Sequence, residues 1–367
     1  VKSAGATAEH FAAPSSPFGS AYGWLPEELA ERCKQSSGGA LFARLQRPWL
    51  WRADGPALGR RPREGLDSAS TALPELIEAV GSADGSTKLL VQLADGARVE
   101  TVHMPREVRS GRVTLCLSSQ VGCGMGCTFC RTAKMGFRRQ LSAAEIVIQV
   151  LLAMHRFGPR QPGAVTLVFM GMGEPLHNFQ NVARAVQILT HPAGLGLSPR
   201  RITISTSGLV PEIEALGKLA VRPLLAVSLN ATTERERGAL MPIGRHHGLA
   251  ALRSALERYP LRPRERITIE YVLLAGVNDT NQDAVRLSEF CSGFPHQVNL
   301  IPFNAHAESP FRAPSEADVD RFARAVLSAQ PTVLTVRRSR GPDVFAACGQ
   351  LATASPGRRA LTQPLRS

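Results

Sequence analysis

From Arg112 onward the chain alternates short apolar runs with stretches in which apolar residues recur every three or four positions. Strand-like segments fall at residues 113–118, 164–170, 201–206, 224–229, 267–273 and 297–301. Helical ones fall at 142–157, 178–189, 212–219, 249–258, 280–291 and 315–329. Ser142 and Glu145 form a capping box that opens the first of these helices. Parallel neighbours need a helical crossover, so this rhythm predicts an α/β fold built on a parallel sheet. A partial (β/α)6 barrel and an open doubly wound sheet both fit. Strand 165–170 reads as apolar on both faces, as a sheet covered on both sides requires. Polar and Gly-rich segments gather just after the strands, the end at which such folds build their sites. Residues 332–338 read as a last strand.

The preceding residues lack this rhythm. Residues 1–17 are rich in Ala, Ser and Pro and read as a loose tail. Short helical patterns follow, among them 26–33 and 73–80. Two alternating segments, 88–93 and 97–103, meet across Ala94-Asp95-Gly96, a hairpin signal. The expected division is a tail (1–17), a small N-terminal accessory domain (18–105), a catalytic domain (106–352) and a basic tail (353–367).

Among the 367 residues Lys and Arg outnumber Asp and Glu, for a formal charge of +13. That surplus suits a polyanionic partner such as RNA, because each neutralised phosphate releases a counterion; an Arg-rich surface without such a partner is the alternative. Residues 60–63, 134–139, 200–201 and 337–340 are the candidate phosphate contacts. Neither a long apolar run nor a secretory pattern stands out, so a cytoplasmic protein without a membrane span is expected. Seven cysteines, an odd number, argue for thiol or metal chemistry rather than a disulfide scaffold.

Three of them lie close together in Cys123-Gly124-Met125-Gly126-Cys127-Thr128-Phe129-Cys130, just after the first parallel strand. Thiolates are soft ligands that favour iron–sulfur clusters or zinc. A structural zinc needs a fourth ligand, and His103 and His155 are not at finger spacing. Three unrelated buried thiols are the remaining alternative. The spacing, with an aromatic residue before the last cysteine, resembles the signature of radical S-adenosylmethionine enzymes. There, three cysteines hold three irons of a 4Fe–4S cluster and leave the fourth open. Gly171-Met172-Gly173-Glu174-Pro175, after the second parallel strand, is similar to that superfamily's Gly-Glu segment.

Cys116 in Leu115-Cys116-Leu117 and Cys348 in Ala347-Cys348-Gly349-Gln350 extend the likeness. With Asp84-Gly85, Val99-Glu100-Thr101, Ser205-Thr206-Ser207-Gly208, Ile301-Pro302-Phe303-Asn304 and Arg340-Gly341, residues 84–352 resemble the RlmN/Cfr family of RNA adenine methyltransferases. The resemblance implies a partial radical-SAM barrel, one 4Fe–4S cluster on Cys123, Cys127 and Cys130, and two S-adenosylmethionine molecules per turnover. One would methylate Cys348. Cleavage of the second would start removal of hydrogen from that methyl group, and the resulting methylene would add to an adenine ring carbon, carbon 2 favoured over carbon 8. Cys116 would then resolve the adduct, with Glu100 as proton acceptor. The implied S-adenosylmethionine contacts are Gly173, Glu174, Ser205, Ser228, Leu229 through its backbone, Asn230 and Asn304. Implied partners are RNA (23S rRNA, with tRNA a further substrate), an electron donor such as flavodoxin and a disulfide reductant; a monomer is assumed. Many members carry His at the position of Asn230, and residues 106–112 make the Glu100–Cys116 spacing longer than usual. Cys33 and Cys291 match nothing and read as packing residues. A relative acting on a non-RNA substrate and a cluster-bearing RNA binder without catalysis are the competing readings.

Overall fold

The structure, a computed structural model, describes residues 20–34, 38–48, 66, 71–106, 111–158 and 164–353. The tail at 1–17, the basic segment 60–63 and most of 353–367 lie outside them, as does part of 106–112.

The strands are β1 (Glu75–Gly81), β2 (Thr87–Gln92), β3 (Arg98–Pro105), β4 (Val113–Cys116), β5 (Gln120–Gly122), β6 (Phe137–Gln140), β7 (Val165–Phe169), β8 (Ile202–Thr206), β9 (Leu224–Ser228), β10 (Ile267–Leu273), β11 (His296–Pro302) and β12 (Val333–Val336). Ten of them form one sheet in the order β1-β2-β3-β4-β7-β8-β9-β10-β11-β12. From β4 to β12 every pairing is parallel, whereas β1, β2, β3 and β4 pair antiparallel. All six expected parallel strands are present, with β12 as the seventh. Helices Ala143–Phe157, Phe179–Thr190, Val210–Gly217, Leu249–Glu257, Asn281–Cys291 and Glu316–Ala329 lie between them. Ser142 Oγ accepts from the Glu145 amide at 3.2 Å and Glu145 returns a bond to the Ser142 amide, so the capping box is formed.

One expectation changes. Residues 73–80 read as helical, but Glu75–Gly81 is a strand that pairs with β2. Its apolar spacing is short enough to suit either state, and the unpaired edge of β2 decides. Val102 of β3 pairs with Cys116 of β4, so one sheet continues from β1 through residue 105 into the parallel strands.

The register sorts the strands into two unlike faces. On one, Leu115 pairs with Leu167, Leu167 with Ile202, Ile204 with Leu225 and Ile269 with Val298. All are buried in the main core, which also takes in Ile146, Val150, Val186 and Leu287 from the helices. Burying each such side chain contributes roughly 1.5–3 kcal/mol. On the other face Lys88 and Glu100 lead through Val102 to Cys116, then Val168 and Thr203. Two residues further along β8 is Ser205, which pairs with Ala226; Ser228 pairs with Glu270, and Glu270 with Asn299. Strand 165–170 is apolar on both sides, with Val168 on the inner face and Leu167 on the other. Across β8 to β11 the inner face turns polar, because it lines a lumen rather than a helix layer.

Candidate active site

Residues 117–140 leave β4 as a loop closed by a small hairpin, in which Gln120 pairs with Gln140 and Gly122 with Phe137. The hairpin presents Cys123, Cys127 and Cys130 between its strands. The Cys123 amide donates to the Gly136 carbonyl at 3.0 Å. Gly122 has φ +75°, and a Cβ there would stand 1.8 Å from the Gly136 carbonyl oxygen, so no other residue closes this turn.

The three thiols open on one cavity of about 160 Å³, shared with Gly173, Glu174, Ser205, Ser228, Asn230, Asn304 and Cys348. Residues more than two hundred positions apart in sequence thus meet at the C-terminal ends of the parallel strands, as expected for this architecture. Gly173 has φ +99°, and a Cβ would lie 2.5 Å from the Gln120 side chain. Gln120 in turn accepts from the Glu174 amide at 2.8 Å, which ties the Gly-Glu turn to the cysteine hairpin.

Glu174 is buried, and its carboxylate accepts from the amides of Leu176 (3.1 Å) and Ser207 (2.8 Å). Burial raises its pKa, and these amides oppose the shift. The carboxylate keeps acceptor capacity toward the cavity.

Asn230 sits at φ +56°, a left-handed conformation that Asn tolerates better than most residues. Its side-chain oxygen accepts from the Val272 amide at 2.8 Å and its carbonyl accepts from Asn278 at 2.7 Å. Asn at this position therefore stitches β9 to β10 as well as lining the cavity. Leu229 does not line it: its amide donates to the Glu270 carbonyl and its carbonyl accepts from the Ala231 amide.

Cys348 also opens on a second, smaller cavity of about 40 Å³, together with Cys116, Met170 and Arg337. The register brings Cys116 to the inner face, and the C-terminal loop brings Cys348 over it. That loop is clamped onto the short helix Arg131–Lys134 between the hairpin's strands, where the Arg131 amide donates to the Gly349 carbonyl (2.8 Å) and Thr132 Oγ1 to the Leu351 carbonyl (2.7 Å). Asn304 Nδ2 donates to the Cys348 carbonyl at 3.1 Å. Burial pushes the Cys116 thiol up to about 12, and burial also raises Cys348, against the pull of Arg337. Both sulfurs are therefore protonated at neutral pH until something draws the proton away.

Glu100 lies on the same sheet face but lines neither cavity. It is 1% exposed and faces Lys88, 3% exposed, at 3.1 Å. Burial raises its pKa, opposed by the Lys88 charge and the Ala352 backbone. Contact with Ala352 puts it beside the loop that carries Cys348.

Two positions near the site, Glu270 and Arg237, escaped the sequence reading, and Arg337, read there as part of a basic phosphate-contact segment, lines the two-thiol cavity instead. Glu270 lines the larger cavity, bonded to Asn299 Nδ2 at 3.0 Å, while Arg337 spans from Glu270 (3.8 Å) to the two-thiol cavity. Arg237, entirely buried, lies behind the cysteine loop. Period-2 counting around Ile267–Leu273 would have placed Glu270 on the polar face.

The basic segments are less free than their composition suggested. Arg139 pairs with Glu145 (2.9 Å) and Asp95 (2.7 Å), Arg338 with Glu316, and Arg340 lies 3.9 Å from Asp84. Cys33 and Cys291 are buried, as packing residues would be.

The donor set fits an iron–sulfur cluster. Among the described residues no three His, Cys, Asp or Glu side chains converge on a single-ion site. Three free thiols instead share the wall of an open cavity, which suits a polynuclear cluster taking one thiolate per iron. Burial holds Cys123 up to about 12 and Cys127 well above its ordinary value, so a bound metal would be what makes them thiolates.

A parallel α/β sheet carrying this loop and cavity is the architecture of a radical S-adenosylmethionine enzyme, and residues 117–288 match the model of the radical SAM superfamily. The solved structure of a radical SAM methyltransferase from Sphaerobacter thermophilus superimposes with a TM-score of 0.81 at 36% identity, covering 91% of this chain and 99% of that one. The chain is 52% identical over 292 residues to the dual-specificity RNA methyltransferase RlmN of Geobacter sulfurreducens, covering 80% of this chain and 78% of that one. It is 44% identical to the RlmN of an Anaeromyxobacter species over 359 residues, 93% of each. The chain belongs to the RlmN family and is a radical SAM methyltransferase, which implies a 4Fe–4S cluster and S-adenosylmethionine. No helix among the described residues is long and apolar enough to cross a membrane.

Proposed function

We propose that this protein methylates an adenine ring carbon in RNA, carbon 2 ahead of carbon 8, through a methyl group carried on Cys348. The observation that carries this reading is the placement of Cys348 on the walls of both cavities, beside the three cysteines in one and beside Cys116 in the other. A carrier must receive its methyl group from S-adenosylmethionine and hand it to a substrate, and only a sulfur open to both sides does so.

An adenine ring carbon is not a nucleophile toward a sulfonium methyl, so direct displacement fails and a radical route is needed. Bound to Cys123, Cys127 and Cys130, a 4Fe–4S cluster supplies the electron that cleaves S-adenosylmethionine reductively. Glu174, Ser205, Ser228, Asn230 and Asn304 line the space for that co-substrate, with Gly173 leaving it room; the Leu229 backbone, bonded to Glu270 and Ala231, holds the turn behind them. The Cys348 sulfur first takes a methyl group by displacement, releasing its proton. Once that methyl group has given a hydrogen atom to the 5′-deoxyadenosyl fragment of the second S-adenosylmethionine, the methylene radical adds to the adenine; the adduct would return one electron to the oxidised electron donor, and the Glu100 carboxylate would accept the ring proton. Cys116 attacks the Cys348 sulfur, the bond from that sulfur to the methylene carbon breaks, and the carbon leaves with the electron pair and picks up a proton. The Cys116–Cys348 disulfide formed then has to be reduced. Two S-adenosylmethionine molecules are consumed per turnover, with an electron donor such as flavodoxin and a thiol reductant as partners.

The charge of +13 supports an RNA partner, and relatives carry the name dual-specificity RNA methyltransferase; 23S rRNA and tRNA are the substrates we assign, in the cytoplasm, to a monomer. The target adenine has to be turned out of its stack, which costs least in single-stranded or distorted RNA. Nucleoside mass spectrometry of unmodified rRNA and tRNA after anaerobic reaction tests this. Methyladenosine labelled at a ring carbon is expected; abundant 5′-deoxyadenosine with unmodified RNA would point to another substrate.

A further inference from the structure

Arg237 is entirely buried, yet among the described residues no Asp or Glu forms an ion pair with it. It lies on the helix Glu234–Leu240 and donates from Nη2 to the Ser207 carbonyl (2.6 Å) and from Nη1 to the His247 carbonyl (3.2 Å). Among the described residues its Nε–H has no acceptor. A guanidinium does not lose its proton in a protein, so this is a full positive charge taken out of water. Such a charge needs an anion nearby, and the two groups that supply one are the Glu234 carboxylate and the Cys127 sulfur.

The end of the same helix grips the cysteine loop. The Thr128 amide donates to the Leu240 carbonyl at 2.9 Å and Thr128 Oγ1 to the same oxygen at 3.3 Å, directly beside Cys127. Leu240 and Met241 pack with Phe129, Cys127 and Cys130 in one apolar cluster, which keeps water from screening the charge. Burial lowers the pKa of Arg237, and the charges of Glu234 and Cys127 oppose that shift. Glu234 spends a carboxylate oxygen on the Leu249 amide, 2.6 Å away. Arg237 lines neither cavity, so it is not a co-substrate contact. A Cβ on Gly208 would lie 2.8 Å from Nη2, so the Ser207-Gly208 turn leaves room for the guanidinium.

We infer that Arg237 is the buried counter-charge of the iron–sulfur cluster and sets its reduction potential from the Cys127 side. This rests on the assignment of the cluster to Cys123, Cys127 and Cys130. Three thiolates outweigh the positive core of a cubane, so the loaded site is anionic and becomes more so on accepting an electron. A fixed cation behind one thiolate favours the reduced state, by the dependence of cluster potentials on local charge and solvent access. Arg237 also holds the Ser207 peptide whose amide bonds Glu174. The same guanidinium thereby links the cluster's electrostatics to the position of the cavity carboxylate.

The test uses the full chain, loaded anaerobically with iron and sulfide, without S-adenosylmethionine or RNA. Cluster content and midpoint potential are measured by iron and sulfide analysis and by a redox titration followed by electron paramagnetic resonance. Arg237→Lys keeps the charge and loses the fork; Arg237→Met removes the charge at similar length. The Met variant is expected to lower the midpoint by at least a tenfold change in the reduction equilibrium, about 59 mV for one electron. The Lys variant is expected to stay close to the parent. Loading by Lys but not by Met also supports the inference, since charge alone separates them. A Met variant with full cluster and the parent's midpoint overturns it. So does failure of both variants to load, or equal shifts in both, which would make Arg237 a staple for the Ser207 turn. A parent protein that binds no cluster fails the cluster assignment itself, and this inference with it.

Discussion

Replacing Lys88 by Met takes the adjacent cation from the Glu100 carboxylate, which is almost wholly buried. The two groups are 3.1 Å apart and 3% and 1% exposed. At an effective dielectric constant of about 20, their attraction is about 5 kcal/mol. Desolvation of both partners offsets much of this in the intact pair, but removing one partner typically costs about 3–5 kcal/mol, because a charge is stranded. We expect a loss of that size for Lys88→Met at pH 8. The sign with pH follows from the raised pKa of Glu100. An acid that holds its proton more tightly when folded loses stability as pH rises above its unfolded value, about 4.3. Without Lys88 that pKa rises further, so the deficit of the variant is largest at pH 8 and shrinks toward pH 5, where Glu100 takes up a proton. Adding Glu100→Gln to Lys88→Met should recover part of the loss. Urea unfolding of the cluster-free protein, followed by circular dichroism at pH 5, 6.5 and 8, measures this. A loss under about 1 kcal/mol, or one equal at all three pH values, would refute the stranded-charge argument.

Gly122→Ala should abolish cluster loading while leaving the sheet folded, because its Cβ falls 1.8 Å from the Gly136 carbonyl; iron analysis alongside far-ultraviolet circular dichroism checks both halves. Glu174→Gln keeps the size of the side chain but removes its charge, and should weaken S-adenosylmethionine binding about tenfold or more, a loss of the order of a charged hydrogen bond. Equilibrium dialysis on the cluster-loaded protein reads that change, and an unaltered affinity would remove Glu174 from the contact set. Cys116→Ala should accumulate a covalent protein–RNA adduct at Cys348, visible as a slow band in denaturing gels; free methylated RNA at the parental rate would contradict the resolving role.

The parts of this molecule set by local chemistry were legible in its sequence. The βα rhythm from Arg112, the capping box at Ser142 and Glu145 and the hairpin across Ala94–Gly96 all depend on neighbours a few residues away, and all are present. What escaped depends on long-range pairing. Residues 75–81 are a strand because β2 offers them an edge, and β5 and β6 are too short to announce themselves against the glycines between them. The polar inner face was partly hidden because Val168 and Ala226 interrupt it with apolar residues, although Thr203, Ser205, Ser228 and Glu270 mark it. The five cysteines that spacing and family resemblance single out line shared cavities in the structure. Arg237 carried no such signal, since the alternating charges of Glu234-Arg235-Glu236-Arg237 read as a solvated helix face until the burial of Arg237 is known.

The central claim, that Cys348 carries the methyl group, is tested most directly by mass spectrometry with methyl-labelled S-adenosylmethionine. The cluster-loaded protein would be incubated with the label, washed free of it, and given unlabelled S-adenosylmethionine, reductant and RNA. The account predicts label first on the peptide containing Cys348 and then, after addition of RNA, in methyladenosine. Labelled RNA formed at the parental rate by a Cys348→Ala variant, or RNA carrying only unlabelled methyl groups in the first turnover, would contradict it.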